Sequence, residues 1–205
     1  PNINFELWSD IFISKAYNSP LVYPNSLTNY DYEVLIHEIG HALGLKHPFE
    51  ADRSNVSILN SHEDQTQFTV MSYNESSLTF DGTFRMLDWM TLAKLYGINP
   101  SYKSKDDIYY FSPEAGIFIL DGAGDDTIDA RNVTQNIFVD LRCGSHSHIG
   151  LKSTYITDPN QLTISHGSVI ENVFTGAGDD YIVGNNSANI IAILGAFALG
   201  AQKLL

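Results

Sequence analysis

Three histidines and a glutamate stand close together in the segment HEIGHALGLKHP, residues 37–48. If this segment is helical, residues four apart project from one face, so His37 and His41 can bind the same ion. Zn²⁺ accepts imidazole nitrogens at about 2.0–2.1 Å. Gly44 permits a sharp turn that returns His47 as a third ligand. The spacing therefore predicts a zinc site.

The chemistry that follows from such a site is hydrolysis of an amide bond. Three protein ligands leave a fourth position for water, which is typical of catalytic zinc rather than structural zinc. Zinc lowers the pKa of such a water from 15.7 to about 7 and polarises a substrate carbonyl. Glu38 lies at the edge of the same helical face, where it can accept the proton of the water and pass it to the leaving amine.

The alternative for the motif is chance, because H-E-x-x-H also occurs on ordinary helices. The third histidine, at the spacing H-x-x-G-x-x-H, makes coincidence improbable. A zinc site that has lost its activity is a second alternative, against which the presence of Glu38 argues.

Two helices are predicted around these residues. Apolar residues recur at helical spacing from Tyr30 to Leu45, with a cap at Thr28, Asn29 or Asp31 and a left-handed end at Gly44. The second helix covers residues 85–96, with Leu95 among its inward-facing side chains and Gly97 after its end. Upstream of both, the segment FELWSDIFI at residues 5–13 is typical of a β-strand.

Composition changes after Pro100, where short β-like runs alternate with turns rich in Gly, Asp and Asn. The sequence GAGDD occurs at residues 122–126 and again at 176–180, preceded by Asp121 and Thr175. Both copies fit the repeat G-G-x-G-x-D-x-U-x, except that the first glycine is replaced. A weaker third copy, GNNSANII, begins at Gly184 and has Asn189 where the others have aspartate. A domain boundary near residue 100 is predicted.

The GAGDD turns predict calcium binding. Glycines let a tight turn aim carbonyl oxygens inward, aspartates add carboxylates, and Ca²⁺ takes 6–8 oxygen ligands. The predicted apolar core between two parallel sheets contains Ile128 and Ile182. A pair of plain surface turns is the alternative, since Gly and Asp favour turns in any case. The predicted ligand residues of the two turns are Gly122, Gly124 and Asp126 in the first, and Gly176, Gly178 and Asp180 in the second.

The segment HEIGHALGLKH resembles the zinc signature of the metzincins. The segment VMSYNE resembles the Met-turn of that family, with Met71 beneath the metal, and Tyr73 is similar to a tyrosine of the serralysin and astacin branches. The resemblance implies that the Tyr73 phenol ligates zinc at rest and stabilises the oxyanion during turnover. For Met71 and Tyr73 alone, core packing is the alternative.

A metzincin zinc site followed by Gly-Asp repeats resembles the serralysins, secreted bacterial proteases that end in a parallel β-roll. The likeness includes DQTQFTVMSY, MLDWMTLAKLYG and VIENVFTGAGDDYIVGNNSANII, and it covers most of residues 25–191. It implies an α+β fold, with a metzincin-like zinc helix and Met-turn in a partial catalytic domain (1–100) and a calcium-binding β-roll (101–205). It also implies extracellular location, protein or peptide substrates, and a proteinaceous inhibitor as a partner. Further calcium ligands implied by the resemblance are the backbone of Lys103 and Lys105, and the side chains of Asp107, Asp121 and Glu171.

The chain departs from that family at both ends. Only 36 residues precede His37, where serralysins have a longer region with most of a twisted sheet, and AILGAFALGAQKLL at residues 192–205 breaks the Gly-Asp pattern. We therefore expect a fragment, or the product of a disrupted gene. The alternative function is a non-enzymatic calcium-binding β-roll protein attached to an inactive protease remnant.

Composition excludes several other classes of protein. The 24 acidic residues against 11 basic ones give a formal charge of −13, which disfavours nucleic acid and anionic membranes and favours cations. The single cysteine, Cys143, excludes a disulfide scaffold. No secretory signal is expected at residues 1–4, and the apolar run at 190–201 is shorter than the about 20 residues of a membrane span. The sequence leaves the oligomeric state open, and we expect a monomer.

Overall fold

The computed structural model describes residues 28–51, 56–76 and 82–194. The chain forms two compact units, residues 1–88 and 89–205. The strand predicted over residues 5–13 lies outside the described residues. The predicted domains 1–100 and 101–205 stay a prediction.

Helix α1 spans Asn29–Ala42 and carries the first two histidines of the motif. Thr28 caps it: the Thr28 hydroxyl accepts from the Asp31 amide at 3.3 Å, and the Asp31 carboxylate accepts from the Thr28 amide at 2.8 Å. This reciprocal capping box satisfies amides that the first turn leaves unpaired. The helix ends at Leu43, and Gly44 follows with φ +91°, a conformation that glycine adopts without strain. The predicted cap and the predicted end are both confirmed.

Helix α2 spans Met86–Tyr96 and also has a side-chain cap. The Asp88 carboxylate accepts from the Arg85 amide at 2.9 Å, just before the helix begins. Leu92 and Ala93 are buried, whereas Leu95 is 56% exposed. The prediction that Leu95 faces inward is wrong, because the last turn of the helix is exposed and Leu92, one turn earlier, occupies the buried position.

Within the described residues 82–194, nine strands follow in two sheets. They are β1 (Ile108–Tyr110), β2 (Ile117–Ile119), β3 (Thr127–Ala130), β4 (Ile137–Asp140), β5 (His146–Ile149), β6 (Gln161–Ile164), β7 (Asn172–Thr175), β8 (Tyr181–Val183) and β9 (Ile190–Ile193). The first sheet has the order β1-β3-β7-β9, and every pair in it is parallel. This sheet agrees with the predicted parallel roll.

The second sheet has the order β2-β6-β5-β4-β8 and is mixed. Its outer pairs, β2 with β6 and β4 with β8, are parallel, but β5 runs antiparallel to both of its neighbours. The prediction of two parallel sheets is therefore wrong for this sheet. The stretch between the two GAGDD copies lacks a glycine-aspartate repeat, and a five-residue loop containing Gly144 at φ +76° returns the chain as a hairpin.

The core of the second unit draws side chains from both sheets. Ile128 and Val173 from the first sheet join Val139, Leu162 and Ile182 from the second in one buried cluster. Ile128 and Ile182 are buried as predicted. Within the described segments, no helix is both long enough and apolar enough to cross a membrane.

Candidate metal centres

Helix α1 and the turn after it bring three imidazole nitrogens to one point. The Nε2 atom of His47 lies 3.2 Å from Nε2 of His37 and 3.1 Å from Nε2 of His41. A tetrahedral ion with bonds of about 2.0–2.1 Å holds its ligand atoms about 3.3–3.4 Å apart. The Tyr73 hydroxyl lies 2.9 Å from the same nitrogen of His47. His37, His41 and Tyr73 thus all contact His47 Nε2, at 2.9–3.2 Å, slightly closer than the ligand atoms of a tetrahedral zinc site.

Backbone carbonyls set the tautomers of two of the rings. His37 Nδ1 lies 2.7 Å from the Val70 carbonyl, and His41 Nδ1 lies 3.0 Å from the Leu45 carbonyl. A carbonyl can only accept, so each Nδ1 carries the proton and each Nε2 presents a lone pair. His47 Nδ1 lies 2.9 Å from the Glu50 carboxylate, without the angle of a hydrogen bond.

The environment keeps His37 in the form that binds metal. Burial lowers the pKa of His37, and the charges of His41 and His47 act in the same direction. These effects outweigh the hydrogen bond to Val70 and the nearby Glu38, which act to raise the pKa. A neutral imidazole is the form of histidine that ligates metal.

Met71 packs directly under helix α1. A Cβ atom added at Gly40 would lie 2.6 Å from the Met71 sulfur, so only glycine allows this approach. Met71 is 1% exposed, and the neighbouring Val70 is 2% exposed. The turn that supplies the carbonyl to His37 is therefore a buried and closely packed part of the unit.

A cavity of ≈ 290 Å³ adjoins His37. His37, Glu38 and Tyr73 all line it, and so does Glu75. Glu38 and Tyr73 are exposed, so both side chains can reach a molecule that enters from solvent. The predicted base and the predicted phenol thus share one accessible space with the first histidine.

A second cluster lies at the first Gly-Asp turn, residues 121–126. Asp107, Asp121 and Asp126 each offer a carboxylate oxygen, and these oxygens lie within 4.8 Å of one another. Asp121 is 1% exposed and Asp126 is 0% exposed, and Oδ2 of Asp126 has no hydrogen-bond partner among the described residues. Glu171 lies beside them, because its carboxylate accepts from the Asp126 amide at 2.9 Å. Buried carboxylates with open lone pairs suit a hard cation.

The loop before β1 packs against this turn. A Cβ atom at Gly122 would lie 2.4 Å from the Tyr102 carbonyl oxygen, and one at Gly124 would lie 2.5 Å from that of Lys105. Lys103 has a positive φ of 45°, and its ammonium group donates to the Tyr109 hydroxyl at 3.2 Å. Both glycines are therefore required for close approach of the backbone.

Burial and the closeness of the carboxylates raise pKa values in the cluster. Burial raises the pKa of Asp126 to about 6, and the charges of Asp121, Glu171 and Asp107 add to this effect. Tyr109 donates its hydroxyl proton to Asp121, and burial followed by that bond raises the pKa of Tyr109. Sequence reasoning missed Tyr109, because no motif marks it and it lies twelve residues before Asp121.

The second Gly-Asp turn, residues 175–180, gathers fewer acidic groups. Asp180 accepts from the Ile137 amide at 3.0 Å through Oδ1, and its buried Oδ2 atom has no partner in the described part of the chain. Thr175, the first residue of this turn, is 0% exposed, and its hydroxyl likewise has no described partner. A Cβ atom at Gly176 or Gly178 would lie within 3 Å of a backbone carbonyl oxygen.

In the third copy of the repeat, which begins at Gly184, side-chain amides form the hydrogen bonds within the turn. Asn189 donates to the Glu171 carbonyl at 3.0 Å and to the Asn185 side chain at 2.9 Å, and it accepts from the Asn185 amide at 3.0 Å. The side-chain NH₂ group supplies donors that an aspartate lacks, so this turn satisfies its own polar groups.

Comparison with known proteins finds bacterial serralysins and a metallopeptidase as relatives of this chain. The chain is 33% identical over 190 residues to serralysin of Proteus mirabilis, an alignment covering 80% of this chain and 38% of that protein. It is 34% identical over 194 residues to serralysin B of Dickeya chrysanthemi, covering 82% and 39%. It is 31% identical over 194 residues to metallopeptidase AprA of Pseudomonas marginalis, covering 80% and 39%. The chain thus spans about two fifths of the length of these relatives.

A family model gives the same result for the second half of the chain. The model described as peptidase M10 serralysin C terminal matches residues 88–197, which is more than half of the sequence. This region contains both sheets and both Gly-Asp turns. Two of these relatives are named serralysins and the third a metallopeptidase, and the chain belongs to the serralysin family.

Proposed function

We propose that this chain carries the zinc site of a secreted endopeptidase that cleaves peptide bonds in proteins. The observation that carries the proposal is the convergence of three Nε2 atoms, from His37, His41 and His47, at separations of 3.1–3.2 Å where the structure gives them. In this interpretation helix α1 is the zinc helix of a metzincin, and the turn at Val70 and Met71 is its Met-turn.

The residues around the histidines have separate roles in the proposed reaction. Zinc bound there would supply a Lewis acid and lower the pKa of a water molecule. Glu38, exposed in the cavity beside His37, accepts a proton and returns it to the leaving amine. Tyr73 directs its hydroxyl to the same point, 2.9 Å from His47 Nε2, where it can donate to a developing oxyanion.

We propose that calcium binds at the first Gly-Asp turn and stabilises the second unit. Asp107, Asp121 and Asp126 supply carboxylates, with Glu171 beside them. Extracellular calcium modules usually bind with a Kd of about 10⁻⁴–10⁻³ M, and we expect this range for the first turn. The catalytic groups and the calcium cluster therefore belong to different units of the chain.

Replacement of Glu38 tests the catalytic proposal. Glu38→Gln removes the base and keeps the size of the side chain, so we expect kcat/KM for casein to fall about 10²–10⁴-fold. Zinc content, measured by atomic emission, should stay at one ion per chain. Glu75→Gln is the matched control, because Glu75 is an exposed glutamate of the same cavity and touches none of the three histidines where contacts are described. Activity of Glu38→Gln equal to that of the control would refute the assignment.

A second candidate function is calcium binding without hydrolysis. It is favoured by the position of the carboxylate cluster, which lies wholly within residues 89–205. This candidate predicts that calcium raises the melting temperature of the chain while casein stays intact, even with zinc supplied. Zinc-dependent cleavage would exclude it.

A further inference from the structure

The ring of His37 packs against the rings of His41, His47 and Tyr73, and its Nδ1 atom bonds a backbone carbonyl. Its Nδ1 atom donates to Val70 O at 2.7 Å, and this bond turns Nε2 toward the other two histidines. Val70 is 33 residues from His37 along the chain, so helix α1 does not fix this partner. The orientation of the His37 ring therefore depends on the contacts that hold the Val70 peptide in place.

Asp88 holds that peptide from its other side. The Val70 amide donates to Asp88 Oδ2 at 2.8 Å, and the Thr69 hydroxyl donates to Asp88 Oδ1 at 2.6 Å. The same Thr69 hydroxyl accepts from the Met71 amide at 3.1 Å. One carboxylate thus binds the turn at Thr69 and Val70 directly, and at Met71 through Thr69.

A carboxylate suits this position because only it can accept every bond. Asp88 is 2% exposed, and its two oxygens receive three donors: the Val70 amide, the Thr69 hydroxyl and the Arg85 amide. An asparagine has one accepting oxygen, and its NH₂ group would face a donor. Bonds to an ionised acceptor are also stronger than neutral ones.

Capping of helix α2 does not account for the whole arrangement. The bond from the Arg85 amide to Asp88 is a local helix cap, because Asp88 lies only three residues after Arg85. The other two bonds reach 18 and 19 residues back along the chain, to Val70 and Thr69. A cap alone would not need them.

We propose that Asp88 is a positioning residue for the zinc site: through Val70 it fixes the direction in which His37 presents its Nε2 atom. The inference rests on the proposed function, since it concerns how tightly the three histidines hold zinc. Outer partners of metal-ligating histidines typically change metal affinity by about 10–100-fold when they are removed.

Asp88→Asn tests the inference by metal binding rather than by activity. We expect its zinc Kd, measured by competition with a chromophoric chelator, to rise about 10–100-fold at a temperature where circular dichroism shows the variant folded. The visible spectrum of the cobalt-loaded protein should change, because a tilted His37 alters the ligand field. Asp64→Asn is the matched control: Asp64 is another buried carboxylate of this unit, but it accepts from Asn74 and not from the turn.

A milder variant keeps the test decisive if Asp88→Asn does not fold. Thr69→Val removes the hydroxyl between Asp88 and Met71 and should raise the zinc Kd about 3–10-fold, below the effect of losing the carboxylate. Unchanged zinc affinity and an unchanged cobalt spectrum in the folded variants would overturn the role of Asp88, and so would an equal loss in Asp64→Asn. If the unaltered chain itself fails to bind zinc, the proposed function fails as well.

Discussion

Two turns of this molecule share the sequence GAGDD but surround different chemistry. In each turn the first glycine lies against a backbone carbonyl: a Cβ atom would be 2.4 Å from Tyr102 O at Gly122 and 2.1 Å from Val133 O at Gly176. The second glycine behaves alike, with a carbonyl at 2.5 Å in the first turn and at 2.9 Å in the second. The glycines therefore specify the same close packing of a turn on an upstream loop.

The carboxylates around the two turns differ. The Asp107 amide donates to Asp126 at 2.8 Å, and the Ile137 amide donates to Asp180 at 3.0 Å, so positions 107 and 137 correspond. The residue before each GAGDD is Asp121 in the first turn and Thr175 in the second. Among the described residues, Asp107, Asp121 and Asp126 thus meet at the first turn with Glu171 beside them, whereas of the matching positions in the second turn only Asp180 carries a carboxylate. The motif specifies the turn, whereas residues outside the motif determine how strongly it attracts a cation.

Matched substitutions in the two turns should give the largest difference. Calcium at 100 times its Kd stabilises a single site by about 2.7 kcal/mol. We expect Asp126→Asn to remove most of this gain and to raise the calcium Kd at least about 10-fold. Asp180→Asn, the same change at the same position of the motif, should leave most of the gain in place. Calorimetric titration with calcium and thermal unfolding with and without a chelator measure both quantities.

The opposite ranking would break the comparison. If Asp180→Asn lost as much calcium stabilisation as Asp126→Asn, the motif alone would determine affinity. The same result would make the carboxylates of Asp107 and Asp121 dispensable. Asp125→Asn serves as a control, because Asp125 is an exposed acidic residue of the first turn outside the cluster of Asp107, Asp121 and Asp126.

A gain of function in the second turn should be smaller. Thr175→Asp places a carboxylate at the position where the first turn has Asp121, in a turn whose Asp180 has a buried Oδ2 atom with no described hydrogen-bond partner. We expect calcium affinity at this turn to rise about 10-fold, or about 1.4 kcal/mol. Calcium affinity should be measured in the Asp126→Asn background, where the first turn is weakened and most of the binding signal comes from the second turn. Thr175→Asn is the matched neutral control, and an equal gain in that variant would show that charge is not the cause.

Helix α1 could be predicted from sequence because its determinants are local. The spacing of His37 and His41, the cap at Thr28 and the turn at Gly44 all lie within 17 residues, and helical periodicity relates them. The partners that orient the rings could not be found in this way. The carbonyl of Val70 carries no sequence signal, and Asp88 resembles an ordinary helix cap until its contacts are known.

The β-rich half was predictable only where the repeat is present. The GAGDD copies indicated turns and the buried Ile128 and Ile182, because glycine, aspartate and a large apolar residue recur at fixed offsets. Strand β5 lies between the copies, where no repeat constrains direction, and it runs antiparallel. The carboxylate of Asp107 joins the first turn through the register of β1 on β3, which pairs Ile108 with Thr127. Such a register is a tertiary property that local patterns do not specify.

The smallest expected effect is a pH dependence confined to the first turn. Burial, and then the neighbouring carboxylates, raise the pKa of Asp126 to about 6 from an ordinary value of 3.8. Between these values the folded chain binds a proton that the unfolded chain has released, so without calcium the free energy of unfolding falls as pH rises. From pH 5 to pH 7 we expect a loss of about 1 kcal/mol relative to Asp126→Asn, which lacks this titration.

Calcium should reverse the sign of this slope. Protons and calcium compete for the Asp126 carboxylate, so with calcium present the first turn loses stability as pH falls below about 6. Urea unfolding of the unaltered chain and of Asp126→Asn at pH 5, 6 and 7, with calcium and with chelator, gives both slopes. Equal slopes in the two proteins would mean that Asp126 titrates as an ordinary carboxyl. Asp180→Asn is the matched control in the same series, because Asp180 lies in the second turn, outside the cluster of Asp107, Asp121 and Asp126.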